Sequence, residues 1–272
     1  MPRYHTVIFD CDGTLLNTLE DLAAAGNAVC ARHGWPTYTL EQYKRKVGNG
    51  QLMLARRLMP PMIASDARAV AQICDEFSAC YAQCKDDHTA PYPGIIELLD
   101  QLRAAGVRLA VLTNKNDEPA QELIAGFFGE RFDCVQGRTD ALPPKPAPAM
   151  MQAALRRLGV EEAVLAQAKP AAHASADKAS SADASAAGTT GAGEEIADGA
   201  AGISESTTNP LAGFLMVGDS DVDVQAGCNV GMDACGVLWG FRERAELERA
   251  GATHIAATPA ELAALVLGSP EP

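Results

Sequence analysis

Residues 6–18, TVIFDCDGTLLNT, begin as a short apolar run and end with Asp10 and Asp12 one residue apart, followed by Gly13. Asp-Gly between two apolar runs signals a β-hairpin, provided a second strand comes next. The residues after Leu16 have helical periodicity instead. Leu19, Leu22, Ala23 and Val29 fall on one face, Thr18 is placed to cap the helix with Asp21 three residues on, and Gly34 and Pro36 end it. A buried strand over residues 5–10 is therefore expected to deliver two aspartates to its end for a shared cation or a chemical task.

From there to about residue 88 the pattern stays helical: TLEQYKRKV, a break at Gly48-Asn49-Gly50, then QLMLARRLM and SDARAVAQICDEFSACYAQCKDDH. At Pro91-Tyr92-Pro93-Gly94 helices and strands begin to alternate, with VRLAVLTN, FDCVQG, FLMVGDS, ACGVLWG and HIAA as the strands. Such alternation predicts a parallel sheet with helices on both faces. The first strand belongs to that sheet, so the helical block is inserted behind it. The expected division is a core of residues 1–15 and 91–272 and a helical domain of residues 16–90. Within the core, 29 of the 41 residues from 168 to 208 are Ala, Ser, Gly or Thr. That composition cannot bury enough apolar surface to offset its ordering entropy, and it reads as a flexible insertion.

The bulk composition narrows the function. A net charge of −13 disfavours an extended nucleic-acid surface, and no apolar run approaches the roughly 20 residues of a membrane span. Met1-Pro2-Arg3-Tyr4-His5 leads directly into a strand without a charged and then apolar leader, so a cytoplasmic protein is expected. The eight cysteines lie mostly inside apolar patterns and read as reduced, buried side chains. Cys80, Cys84 and His88 share a helical face, but a structural zinc site takes four ligands, and a core-facing stripe is the expected reading.

Open parallel sheets bind ligands at the carboxyl ends of their strands. There the sequence places Asp10 and Asp12, Thr113 and Asn114, and Asp219, with Asp223 one turn on and Lys145 at the start of the helix APAMMQAALRRLG. Four carboxylates in one crevice disfavour each other's ionisation, and a divalent cation resolves this. An all-oxygen set suits Mg²⁺, which keeps waters and shares a substrate phosphate. Lys145 and Thr113 are then partners for the remaining phosphate oxygens.

DCDGT, LTN, the lysine before PAP, and GDSDVD, in that order, resemble the four motifs of the haloacid dehalogenase-like hydrolases. The helical insertion after the first motif is similar too. The resemblance implies a Rossmann-like α/β core with an inserted α-helical cap, and covers essentially the whole chain except residues 168–208. VGNG, PYPGIIELLDQLRAAGVRLAVLTNK, LPPKPAP and VLWGFRERAELERAGATHI resemble phosphoglycolate phosphatases more narrowly. By that resemblance Asp10 is the nucleophile and Asp12 the general acid and base. Asp10, the Asp12 carbonyl and Asp219 hold Mg²⁺, with Asp223 in or beside that shell. Thr113, Asn114 and Lys145 bind the phosphoryl group. In the cap, Lys44, Arg45 and Lys46 cluster before the glycine loop, and one of these cations, with Arg45 the candidate, or a backbone amide near Gly48 and Gly50 is expected to meet a substrate carboxylate as the cap closes.

The implied reaction is hydrolysis of a small phosphorylated metabolite, phosphoglycolate-like, by a monomer or homodimer. A phosphosugar mutase and a nucleotide or pyrophosphate phosphatase remain alternatives. One departure from the pattern is Asn116, where many relatives have proline; there it is placed to cap the next helix.

Overall fold

In the computed structural model, which describes residues 1–167 and 209–268, the chain folds as β1 (Thr6–Phe9), β2 (Leu16–Asn17), α1 (Leu19–Arg32), α2 (Leu40–Lys46), α3 (Gln51–Leu58) and α4 (Ala67–Tyr81). It continues through β3 (Ala90–Pro91), α5 (Ile95–Ala104), β4 (Arg108–Asn116), α6 (Asp117–Phe128), β5 (Cys134–Arg138), α7 (Pro148–Arg157) and α8 (Glu162–Gln167). The last elements are β6 (Phe214–Gly218), α9 (Asp221–Cys228), β7 (Asp233–Val237), α10 (Arg244–Arg249), β8 (His254–Ala256) and α11 (Pro259–Leu267). The insertion expected over 168–208 lies outside the described residues.

Six parallel strands form one sheet in the order β5-β4-β1-β6-β7-β8. Strand side chains alternate between faces, and here both faces are covered. Val7 and Phe9 pack with Leu98, Leu99 and Leu102 of α5, Leu123 of α6 and Leu262 of α11. Ile8, pointing the other way, packs with Met150, Met151 and Leu155 of α7 and Ala226 of α9. This explains why β1 reads as an unbroken apolar run rather than an alternating one. Register then fixes the site: Phe9 stands opposite Val111 of β4 and Val217 of β6. Asp10, Leu112–Thr113 and Gly218–Asp219 consequently emerge at the same edge.

Helices α1 to α4 have their own core, in which Leu22, Val29, Tyr43, Leu54, Leu58, Ile73 and Phe77 are buried together. The block is entered and left through β2 and β3, which pair antiparallel, Leu16 with Pro91 and Asn17 with Ala90. This is the inserted helical cap on a parallel α/β core.

Two local expectations are corrected. Thr18 precedes α1 but makes no capping hydrogen bond, and its Oγ1 is buried without a partner. Asp21 instead accepts from the Thr89 N–H at 2.8 Å, the Thr89 hydroxyl at 2.7 Å and the His88 N–H at 3.1 Å. It ties the outgoing chain to the first cap helix. Helix α4 also ends at Tyr81, so Cys80, Cys84 and His88 do not form one helical stripe. Cys80 packs in the cap core, Cys84 Sγ approaches the Asp21 carbonyl at 3.7 Å, and the His88 ring sits 3.0 Å from Asp21.

Candidate active site

The edge defined by the sheet register collects the acids. Asp10 follows β1 directly, Asp219 follows β6, and Asp223 lies in the first turn of α9. One carboxylate oxygen from each lies within 4.8 Å of the other two, and all three residues are buried. Lys145 Nζ donates at 2.7 Å to Asp10 Oδ1, Asp223 Oδ1 and the Leu112 carbonyl. All three of its hydrogens are thereby committed. Asp223 has a second task, since its Oδ2 accepts from the N–H and hydroxyl of Ser220 and completes the capping box of α9. Asp219 is held through Oδ1 by the Thr14 hydroxyl at 3.3 Å and through Oδ2 by the Phe241 N–H at 2.8 Å.

Glycines make room for this carboxylate. A Cβ on Gly13, which has φ +88°, would fall 2.4 Å from Asp219 Oδ2, and one on Gly240 would fall 2.2 Å from Asp219 Cβ. A side chain at either position would displace the acid.

Burial and the Asp223 charge push the Asp10 carboxyl up to about 7. Burial, with the charges of Asp223 and Asp10, raises Asp219 well above the usual carboxylate range. Lys145 is shifted upward: burial disfavours its charge, but Asp10 and Asp223 outweigh that. Four aspartates at this edge face two ammonium groups, Lys145 and Lys115. When all are ionised two negative charges remain uncompensated, which a dication would match. All-oxygen donors, buried and in excess of their protein counter-charges, fit a hard divalent cation.

Lys115, at the end of β4, is a site residue that the motif reading passed over. Its ammonium is buried, lies 3.1 Å from Asp12 Oδ1, and donates to the hydroxyl of Tyr81 from the cap at 3.1 Å. It also lies 4.6 Å from the centre of the Tyr81 ring. Burial alone would lower its affinity for a proton, but Asp12 and Tyr81 raise it. The sequence signal was a lysine ending an otherwise apolar strand; nothing local pointed to Tyr81.

Thr113 and Asn114 border the same cavity of about 40 Å³ as Asp10, Asp12, Gly48 and Gly50. Asn114 joins core to cap, donating to the Gly48 carbonyl at 3.1 Å while its Oδ1 accepts the Lys145 N–H at 2.8 Å. Arg45 is elsewhere: it is exposed and lines a separate outer cleft with Glu41, Arg242 and Arg244. Asn116 stands at the N-cap position of α6 as expected, but its side chain makes no capping hydrogen bond there. It reaches across to the cap and donates to Gln51 Oε1 at 3.0 Å.

A capped parallel α/β core with a buried carboxylate cluster at its strand ends is an arrangement that can hold a divalent cation. The family model described as haloacid dehalogenase-like hydrolase matches residues 7–166, and a second hydrolase model of the same type matches residues 182–263. The chain belongs to the haloacid dehalogenase-like hydrolases. It is 36% identical over 163 residues to the phosphoglycolate phosphatase of Cereibacter sphaeroides (strain ATCC 17029), covering 58% of this chain and 73% of that one. Identity to phosphoglycolate phosphatase 1 of Pseudomonas aeruginosa is 32% over 165 residues, covering 59% and 60%. A crystal structure from Lactobacillus delbrueckii subsp. bulgaricus, of a protein assigned as a phosphoglycolate phosphatase, superposes with a TM-score of 0.74 at 27% identity. That superposition covers 98% of this chain and 100% of the other. Within its family the protein is a phosphoric monoester hydrolase. No helix among the described residues is long and apolar enough to cross a membrane.

Proposed function

We propose that the protein is a Mg²⁺-dependent phosphatase that hydrolyses a small phosphate monoester of the phosphoglycolate type through an aspartyl-phosphate on Asp10. The observation that carries this reading is the state of Asp10. Its Oδ1 is pinned by Lys145, while its Oδ2 makes no hydrogen bond to the described residues and the side chain borders the cavity. That leaves one oriented oxygen to attack phosphorus in line.

As the Asp10–phosphorus bond forms, the bond from phosphorus to the ester oxygen breaks, and the departing oxygen takes a proton from Asp12. Asp12 then removes a proton from water, which attacks phosphorus, releasing inorganic phosphate and restoring Asp10. Asp12 Oδ1 lies 3.1 Å from the Lys115 ammonium, and both residues line the cavity. Thr113 orients the phosphoryl oxygens, Lys145 adds positive charge beside them while bonded to Asp10 and Asp223, and Asn114 holds Lys145 and the Gly48 loop in place; positioning with charge stabilisation is most of what this transfer asks of a protein. Asp10, the Asp12 carbonyl and Asp219, with Asp223 beside them, would hold Mg²⁺, which would neutralise charge on the acids and the phosphate. Residues 16–90 act as the cap on a core of residues 1–15 and 91–272, and Gly48 and Gly50 bring their loop over the leaving group.

Phosphate release from a panel of esters, with and without Mg²⁺, tests the reading. Phosphoglycolate is expected to lead sugar phosphates and nucleotides, and Asp10→Asn is expected to remove at least about 10³-fold of the activity. Wild-type turnover by Asp10→Asn would overturn the assignment.

A further inference from the structure

Besides Asn114, which donates to the Gly48 carbonyl, two side chains outside the acid set grip the cap loop from opposite sides. On one side is the segment Trp239–Arg242, just beyond β7. Trp239 packs on the core cluster and donates its Nε1–H to the Thr14 carbonyl at 3.0 Å. Gly240 lies against Asp219 and the Gly13 carbonyl with no room for a Cβ. Phe241 donates its N–H to Asp219 and packs its ring in the cap cluster. Arg242 donates to the carbonyls of Lys44 and, at 2.9 Å, Val47, and lies 3.0 Å from Glu246. Four consecutive residues thus touch the core, an acid of the site, the cap core and the cap loop.

The carbonyls that Arg242 takes are at the C-terminus of α2, where helix geometry leaves them without intrahelical partners. A guanidinium is suited to that end electrostatically and spans two acceptors with fixed geometry. On the other side, Asn116 donates to Gln51 Oε1 at 3.0 Å. Between the two grips lie Gly48 and Gly50, which border the cavity.

We propose that Arg242 is a positioning residue that sets the size of leaving group the enzyme accepts, holding loop 44–50 down over the acid cluster, with Asn116 as its counterpart. The inference rests on the phosphatase reading above but not on Arg242 touching substrate. Loosening the loop removes contacts from a small leaving group and opens space for a large one. General chemistry at Asp10 is left in place.

The test compares phosphoglycolate with p-nitrophenyl phosphate, in Mg²⁺, for wild type, Arg242→Ala, Arg242→Lys and Asn116→Ala. For Arg242→Ala, kcat/KM on phosphoglycolate is expected to fall about tenfold or more, in line with the cost of small misplacements. Activity on p-nitrophenyl phosphate should hold or rise. Arg242→Lys should not restore the ratio, because lysine lacks the planar fork with which the guanidinium reaches the two separated carbonyls and Glu246. Hydrogen exchange of the Mg²⁺-loaded protein should quicken over residues 44–50 and stay unchanged over 214–218. If Arg242→Ala does not fold, Asn116→Ala should show the same change in ratio from the other side. A parallel fall on both substrates, or unchanged exchange over 44–50, would overturn the proposal. A wild type inert toward phosphoglycolate but active on other esters would overturn the substrate reading alone, and the exchange measurement would still decide the latch.

Discussion

Gly240 leaves almost no room for a side chain. It is not in the left-handed region, so a side chain there meets no backbone penalty and only a collision: the Cβ of an alanine would stand 2.2 Å from Asp219 Cβ and 2.5 Å from the Gly13 carbonyl. Neither is the free end of a flexible side chain. Gly240→Ala should therefore shift Asp219 and the Phe241 N–H that holds it, at a cost of about 1–3 kcal/mol typical of overpacking. Denaturant unfolding would show the loss, and Mg²⁺ titration by calorimetry should show weakened binding. Unchanged affinity would mean that the loop moves without carrying Asp219. Gly34 makes a useful control, because a Cβ there has nothing within 4 Å, although its φ of +67° still penalises a side chain. Single residues also show what the sequence left unread. Asp10, Asp12 and Asp219 were legible because polar residues ending buried strands have few bland explanations. Lys115 meeting Tyr81, and Arg242 meeting Val47, were not: each pair joins separate elements through groups that leave no periodic trace.

Among the elements, one buried carboxylate ties the outgoing crossing between cap and core to the first cap helix. Asp21, in the first turn of α1, accepts from Thr89 through its N–H and hydroxyl and from the His88 N–H, just before β3 leaves the cap. Burial pushes the Asp21 carboxyl up, but hydrogen bonds from the Thr89 hydroxyl, the His88 N–H and ring, and the Thr89 N–H outweigh it and hold it below its ordinary value. A depressed folded value means that the stabilisation is full above the unfolded value of about 3.9 and is lost as pH falls through the folded one. Asp21→Asn should thus cost about 1–3 kcal/mol at pH 7, as for a buried donor losing its charged acceptor, and the gap to wild type should close as pH drops below about 4. Chemical unfolding at pH 7 and pH 3 measures it; a gap that is constant across that range would remove Asp21 from this role. The sequence put this residue in a capping box with Thr18, since local spacing alone permits that. The structure uses it for a contact 68 residues away in the chain, which spacing cannot foresee. For the same reason α4 seemed to run to His88: its apolar period continues, yet the chain must turn after Tyr81 for His88 and Thr89 to reach Asp21. The sheet posed no such difficulty, because alternating helices and buried strands admit few arrangements.

For the whole molecule, the net charge of −13 and the acid cluster make metal and pH act together. Without metal, Asp10 sits near 7 and Asp219 is raised well above its ordinary value, burial being the largest cause in each. Groups with raised folded values bind more protons folded than unfolded, so the metal-free protein should lose stability as pH rises from about 4 toward 7. A cation that binds only the folded state reverses this, contributing about 2.7 kcal/mol at a hundredfold excess over its Kd. For a chain of this size that is about 5–10 °C in the thermal midpoint. The gain from Mg²⁺ should be small at pH 5, where protons compete for the same carboxylates, and grow toward pH 7.5. Salt by itself also relieves self-repulsion in so acidic a chain, so KCl at matched ionic strength is the comparison. Thermal melts in Mg²⁺, EDTA and KCl at both pH values, repeated with Asp219→Asn, separate the two effects. A midpoint that rises equally in KCl, or a gain that survives in Asp219→Asn, would show that the cation acts on the surface and not at the acid cluster.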